Sequence, residues 1–292
     1  MSLIYNATFD KNTRKLSFED KAGNEIYSFT VPERTPVDDI TKPLTLKSTQ
    51  DGSTVTLKKM GSPYGTFQTS RDGGNTWTDY TIDTAITLNI GEEVSFRAKS
   101  NRTSDQSTYD YSYFQMTGKI EAWHNVMSLY RTSDFATYNT MVGFAFNSLF
   151  DGCTSLTKAP ALPATTLRNS CYEKMFRGCQ SLTKAPVLPA TRVVYGCYRY
   201  MFSGCQSLTK APALPATTLA DYCCPAMFEG CQSLKEVRIS ATKDASFALL
   251  RWLSGVSATG DFYCDPNATI FPTGEDGIPR NWVRHNIADY PN

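Results

Sequence analysis

The 292-residue chain has only two histidines, His124 and His285, and no Cys-x-x-Cys pair, so its nine cysteines lack the partners and the spacing of a zinc site. It has no charge excess to speak of: 29 basic residues face 28 acidic ones, which removes electrostatic steering toward nucleic acid or an anionic membrane. No apolar run in it approaches the ~18 residues that a spanning helix needs. The first residues, MSLIYNATFDKNTRK, hold no apolar leader core and carry charge from Asp10 onward. There is no G-x-S-x-G elbow, phosphate-cradling glycine loop or paired-carboxylate motif. Neither a cofactor nor a metal is expected.

What the chain has is repetition. Cys153, Cys179, Cys205 and Cys231 stand 26 residues apart, inside FDGCTSLTKAPALPATTL, FRGCQSLTKAPVLPATRV, FSGCQSLTKAPALPATTL and FEGCQSLKEVRIS. A fixed period in the twenties predicts a solenoid, in which each unit buries its apolar face only against its neighbours. A second cysteine column, Cys171, Cys197 and Cys223, keeps the same interval. In-register side chains point in parallel, so free thiols filling a narrow core are expected in preference to disulfides. Cys224 and Cys264 fall outside both columns and receive no role.

Within a unit, YEKMFRGC reads as a short helical turn with Met175 and Phe176 inward. LTKAPVLP reads as a strand-like run burying Leu182, Ala185 and Leu188, kept short by Pro186 and Pro189, which lack backbone donors. The same run exposes Lys158, Lys184 and Lys210, with Glu236 in that place in the last unit. These lysines form either a solvated face or a site for an anionic or glycan ligand.

The expected architecture is mainly β with short helices. Residues 1–42 form an N-terminal β anchor and linker: a three-strand meander through Ala7 and Phe9, KLSF from Lys15 and EIYSFTV from Glu25, then a linker from Pro32 to Lys42. Residues 43–125 carry the period-two runs LTL, TVTL, TFQTS, AITLNI and EVSFRAK of a β-sandwich. Residues 126–240 hold the repeats. Residues 241–292 form a C-terminal cap, with a short helix at DASFALLRWLSG whose Gly255 suits the position just past its end.

Two further stretches bear on function. SRDGGNTW, Ser70 to Trp77, matches the Asp-box S-x-D-x-G-x-T-W of sialidases. The box is structural even there, so Asp72, Gly74 and Trp77 are expected to fix a hairpin. A glycoside-acting enzyme is the alternative from another class, but one box stands alone, and neither His124 nor His285 has an acid–base partner in sequence. Ser104 to Tyr113 reads as a polar aromatic loop: Tyr109, Tyr111 and Tyr113 are either merely exposed or a sugar-stacking patch.

The repeats, with C-x-S-L-T-K-A-P-x-L-P and M-F-x-G-C, resemble the leucine-rich repeats of the Bacteroides surface protein A (BspA-like) family. Met201 and Phe202 stand for that family's A-F pair, Ala185 replaces its usual isoleucine, and the unit here is longer. GKIEAWHNVMSL resembles the connector before such repeats, and TGDFYCDPNATIFPTGEDGIPRNW resembles their closing segment. The resemblance implies a binding protein contacting host-surface or mucosal glycan or protein, on the surface of a virion made in the host cytoplasm or, alternatively, a bacterial adhesin that is secreted or held on the cell surface. By analogy with phage fibres it also implies a homo-oligomer, a trimer, anchored to other virion proteins through residues 1–42, with neither nucleic acid nor membrane as partner.

Overall fold

A computed structural model describes residues 6–10, 15–19, 21–22, 24–30, 38–61, 65–105, 107, 109–274 and 276–290. The chain forms two compact units, Met1–Val37 and Asp38–Asn292. In the first, β1 (Asn6–Asp10), β2 (Lys15–Glu19) and β3 (Glu25–Thr30) form an antiparallel sheet in chain order, with Thr8 opposite Ser17 and Ser17 opposite Ser28. This is the expected meander. The front half of the expected linker, 32–37, lies outside the described residues. Asp38 to Lys42 belongs to the larger unit and is bound to it.

The larger unit begins with two antiparallel sheets built from β4 (Thr45–Ser48), β5 (Ser53–Met60), β6 (Phe67–Ser70), β7 (Thr78–Tyr80), β8 (Ile86–Leu88), β9 (Glu93–Ala98), β10 (Tyr111–Thr117) and β11 (Ile120–Trp123). One sheet has the order β10-β5-β8; in the other, β11-β4-β9-β6-β7 are joined. Leu46, Val55, Leu57, Val94, Phe96 and Phe114 fill the space between them. Here β7, β10 and β11 correct the sequence reading. Tyr111 and Tyr113 lie on a strand, not in a loop, with Ser112, Phe114 and Met116 alternating inward.

The second sheet does not end with the sandwich. β12 (Leu156–Lys158), from the first repeat, pairs in parallel with β11, Ile120 opposite Leu156. At the far end β13 (Glu236–Arg238), β14 (Gly260–Cys264) and β15 (Trp282–Asn286) form a parallel sheet. One core runs without a break from Leu44 through the repeats to Trp282. The expected boundaries after 125 and 240 are therefore not breaks in packing.

The M-F-x-G-C segments are not helices. Among the described residues the only helical segments are two 3₁₀ turns, Val126–Leu129 and Ile287–Asp289, and no helix is long and apolar enough to cross a membrane. Each segment is instead a ribbon of consecutive turns, with a left-handed residue every fourth position: Phe144, Ser148 and Gly152; Ser170, Lys174 and Gly178; Gly196, Tyr200 and Gly204; Tyr222, Ala226 and Gly230. That rhythm sends successive N–H groups in alternate directions. Phe146, Ser148, Phe150 and Gly152 donate to Cys171, Glu173, Met175 and Arg177 of the next unit, while Ala145, Asn147, Leu149 and Asp151 donate three residues back. The pattern repeats from the second unit to the third and from the third to the fourth. None of the left-handed residues is β-branched, the class for which that conformation is worst.

The segment read as a helix before Gly255 is a fifth ribbon, with Phe247, Arg251 and Gly255 left-handed. Gly255 sits over Gly230: a Cβ there would lie 3.5 Å from Gly230 Cα. The ribbon's outward donors meet the closing segment, where Asp276 accepts from Arg251 N–H and Gly277 O from Trp252 Nε1.

Ribbon geometry sets the side-chain packing. Phe150, Phe176, Phe202 and Phe228 stack at centroid distances of 5.5, 5.5 and 5.7 Å, with planes within 9° of parallel. The column continues into the sandwich through Phe114, 5.3 Å from Phe150, and Phe96, and ends on Trp252. A second column runs Tyr130, Phe146, Tyr172 and Tyr198. Cys224, 26 residues after Tyr198, is the next position in it, which explains a cysteine that fits neither thiol column. All nine cysteines are buried and free. The thiols of Cys179, Cys205 and Cys231 donate to the phenylalanine carbonyl of the preceding unit at 3.0–3.2 Å, and Cys153 does the same to Phe114 O. Burial raises the pKa of this column above that of a free thiol, Cys231 to about 12, which keeps the thiol protonated as a donor.

Removing one ring leaves its two neighbours facing a void. Phe202→Ala is expected to cost about 3–5 kcal/mol, and Gly204→Ala about 1–2 kcal/mol because the residue is left-handed at φ +75°. Chemical denaturation of the full chain measures both.

Candidate functional site

The lysine column is not a free cationic face. Lys158 Nζ donates to Asp38 Oδ1 at 2.7 Å and sits 3.8 Å from the centre of the Trp123 ring. It clamps the strap from Asp38 to Lys42 onto β11. The same strap accepts from His124 N–H through Asp38, and Asn125 Nδ2 donates to Ile40 O. His124 Nδ1 in turn accepts the Asp39 N–H, and burial holds its pKa below the usual imidazole value. At the other end Lys210 pairs with Glu236 at 2.9 Å, and that partner raises its pKa. Of the three, Lys184 is exposed and has no salt-bridge partner among the described residues.

Past Lys210 the same face carries a cluster that the sequence did not announce. Tyr290 donates to Glu236 at 2.6 Å and lies under the Arg238 guanidinium. The Tyr263 ring stacks on His285 at 4.8 Å, and His285 Nε2 lies 2.7 Å from Asp261 Oδ1. Each group is engaged by another, so the cluster closes the last strands of the stack. The sequence signal for it is the strand register, which sets Glu236 opposite Asp261 and Tyr263 opposite His285.

The Asp-box is a closed turn. Ser70 Oγ donates to Asp72 Oδ1 at 2.6 Å, and the Asp72 carboxylate accepts from the N–H groups of Asn75 and Thr76 and from Thr76 Oγ1. Trp77 Nε1 donates to Gly74 O beneath the Arg97 guanidinium, 4.2 Å from the ring centre. Gly74 has φ +97° and lies against Trp77 and Pro43. These donors hold the Asp72 pKa far below the usual carboxylate range.

The tyrosines are placed differently. Tyr109 is 80 % exposed, on a turn fixed by Ser107 Oγ, which accepts the N–H groups of Tyr109 and Asp110. Gly61 leaves room for that turn, since a Cβ there would meet Tyr109 O at 2.6 Å. Tyr111 and Tyr113 follow on the outer face of β10, their rings 6.0 Å apart and tilted by 54°, opposite Met60 and Lys58 of β5. On the other side β10 abuts the first ribbon through Phe114 N–H to Leu149 O. Tyr111 therefore lies beside Ser148 and Asp151, and its partial burial raises the hydroxyl pKa. Arg177 of the second unit makes a two-pronged pair with Asp151, at 2.9 and 2.6 Å, and is within electrostatic reach of Tyr111 and of Tyr200 of the third unit. One unit further in from the edge, Glu173, 1 % exposed, takes Lys174 and Arg199, and these partners outweigh burial to hold its carboxyl low. The result is a continuous strip of tyrosines and paired charges crossing from sandwich to repeats. Sequence reading found its first three residues but not Asp151, Arg177 or Tyr200.

A third aromatic group, Tyr195, Tyr222 and Phe247, climbs the ribbon starts at 5.7 and 5.1 Å. Tyr222 and Phe247 lie within 28° of parallel and spend their faces on each other.

The chain matches no family model, and no curated protein or solved structure is similar to it.

Because the Asp72 pKa is depressed on folding, its stabilisation is complete above the ordinary aspartate value of about 4 and is lost as pH falls through and below it. Thermal melts between about pH 2 and 5 are expected to show Asp72→Asn less stable than the parent at the upper end, with the gap closing toward the lower.

Proposed function

We propose that the protein is a non-enzymatic binding protein, a BspA-like leucine-rich-repeat solenoid fronted by a β-sandwich, displayed on a virion surface. The observation that carries this reading is the unbroken core from Leu44 to Trp282, which holds outward side chains at fixed steps along one compact unit. Stacks of this kind suit extended ligand contact because each unit adds surface without adding a separate core. The Asp-box lends the enzyme alternative no support, since Ser70, Asp72 and Thr76 are occupied with one another in the turn. In this reading the sheet Asn6–Thr30 belongs to the anchor, the assembly is a homotrimer, and the ligand is a host-surface or mucosal glycan or protein.

Labelled full-length protein is expected to adhere to gut or oral bacterial cells, or to mucus, without releasing sugar from sialosides. Light scattering is expected to give a trimer. Hydrolysis that disappears in Asp72→Asn, or a monomer that adheres to none of these surfaces, would contradict the reading.

A further inference from the structure

We propose that the strip Tyr109–Tyr111–Tyr113, Asp151–Arg177 and Tyr200 is the ligand site, and that its ligand is an extended glycan without net charge. This rests on the surface-binding reading above and adds both a place and a ligand class to it.

Three observations carry it. The first is ring presentation. Tyr111 and Tyr113, both half-exposed, are tilted by 54° rather than stacked, and Tyr109 stands almost free, so none of these rings covers another. Tyrosine offers a rigid apolar face with a hydroxyl at its tip, suited to a ligand that is apolar on one side and polar on its rim. The fixed turn at Ser107 and the space left by Gly61 hold Tyr109 in line with the strand, so little ordering remains to be done on binding.

The second is charge. On the ribbon side the cations of the strip are engaged by carboxylates: Arg177 by Asp151, and Lys174 and Arg199 by Glu173, which they share. An anionic ligand would have to displace a two-pronged partner from Arg177. A polyol does not, because the pair can give and accept hydrogen bonds at its edge while staying paired. The lysine column is the less suitable place for the same ligand, with Lys158 and Lys210 bound to Asp38 and Glu236 and only the single Lys184 left.

The third is periodicity. From β10 to the third unit the core advances in steps of 5.3, 5.5 and 5.5 Å. Tyr111, Asp151, Arg177 and Tyr200 come from four successive layers of that stack, so the strip repeats polar and aromatic contacts at the scale of one sugar ring along an extended chain.

The test titrates the full chain with cellohexaose, laminarihexaose, xylohexaose and mannan, and in parallel with polygalacturonate and polysialic acid. At least one neutral glycan is expected to bind, with affinity changing less than about 3-fold between about 50 and 500 mM salt. Tyr109→Ala and Arg177→Gln are each expected to weaken it about tenfold or more, while Lys184→Ala leaves it unchanged. Tyr109 is exposed enough for its variant to melt with the parent, which separates lost binding from lost folding. The proposal is overturned if no neutral glycan binds, if only the acidic polymers bind and salt removes them steeply, or if Tyr109→Ala and Arg177→Gln both bind like the parent. Adherence to cells or mucus that survives in the double variant would sink this site while leaving the surface-binding reading standing. A parent protein that adheres to nothing would sink that reading first.

Discussion

The larger unit depends on one backbone rhythm, a left-handed residue at every fourth position of each ribbon. That rhythm turns alternate N–H groups along the stack, so each ribbon can bond to the next without being a strand or a helix. Left-handed backbone costs about 1–2 kcal/mol per non-glycine residue, and the cost recurs in every unit. What offsets it is that the same geometry satisfies nearly every ribbon amide and brings aromatic rings to 5.5–5.7 Å. From Gly178 to Gly255 the glycines closing the ribbons each stand over the glycine of the unit before, where a Cβ would make ordinary van der Waals contact, so it is the left-handed backbone and not lack of space that calls for glycine. The thiol column follows from the same geometry, because each phenylalanine carbonyl is left with a lone pair that the next unit's cysteine fills.

The sandwich acts as the unit before the first repeat. Phe114 supplies a ring to the phenylalanine column, a carbonyl to Cys153 and an amide to Leu149, the three contacts one repeat makes with the next. At the other end Asp276, Gly277 and Trp282 take up groups that a sixth ribbon would otherwise meet. Both ends of the stack are thus closed, and the outward columns between them sort by what closure consumes. Ends of the lysine column are spent on clamps, whereas the tyrosine strip crosses the junction half-exposed, with Tyr109 standing clear of it.

Much of this was legible in the residues. The 26-residue cysteine interval located the units, the alternation of Leu, Val and Phe located most sandwich strands, and the Asp-box residues named their own turn. The ribbon was not legible, because M-F-x-G-C has the spacing of a helical turn, and left-handed Ser170, Lys174 or Tyr200 carry no sequence mark. The fifth unit hid behind a 25-residue step, with Trp252 in the methionine position and Leu253 in the phenylalanine position, although Gly255 kept the glycine register. β10 hid behind its tyrosines, since an outward aromatic row beside polar residues reads as loop. The pairing of Lys158 with Asp38 spans 120 residues and left no trace in local pattern.

The ribbon ladder is the claim on which the stack, the core and the strip all rest. In the second unit Ser170, Tyr172, Lys174, Phe176 and Gly178 donate to the next unit, while the N–H groups from Thr183 to Tyr195 make no backbone bond among the described residues. Hydrogen exchange on the intact chain, read by mass spectrometry on overlapping peptides, tests this directly. The account predicts strong protection across 170–178, 196–204 and 222–230 and fast exchange across the proline run 183–190. Fast exchange in the ribbons, or equal protection in ribbon and proline run, would contradict it.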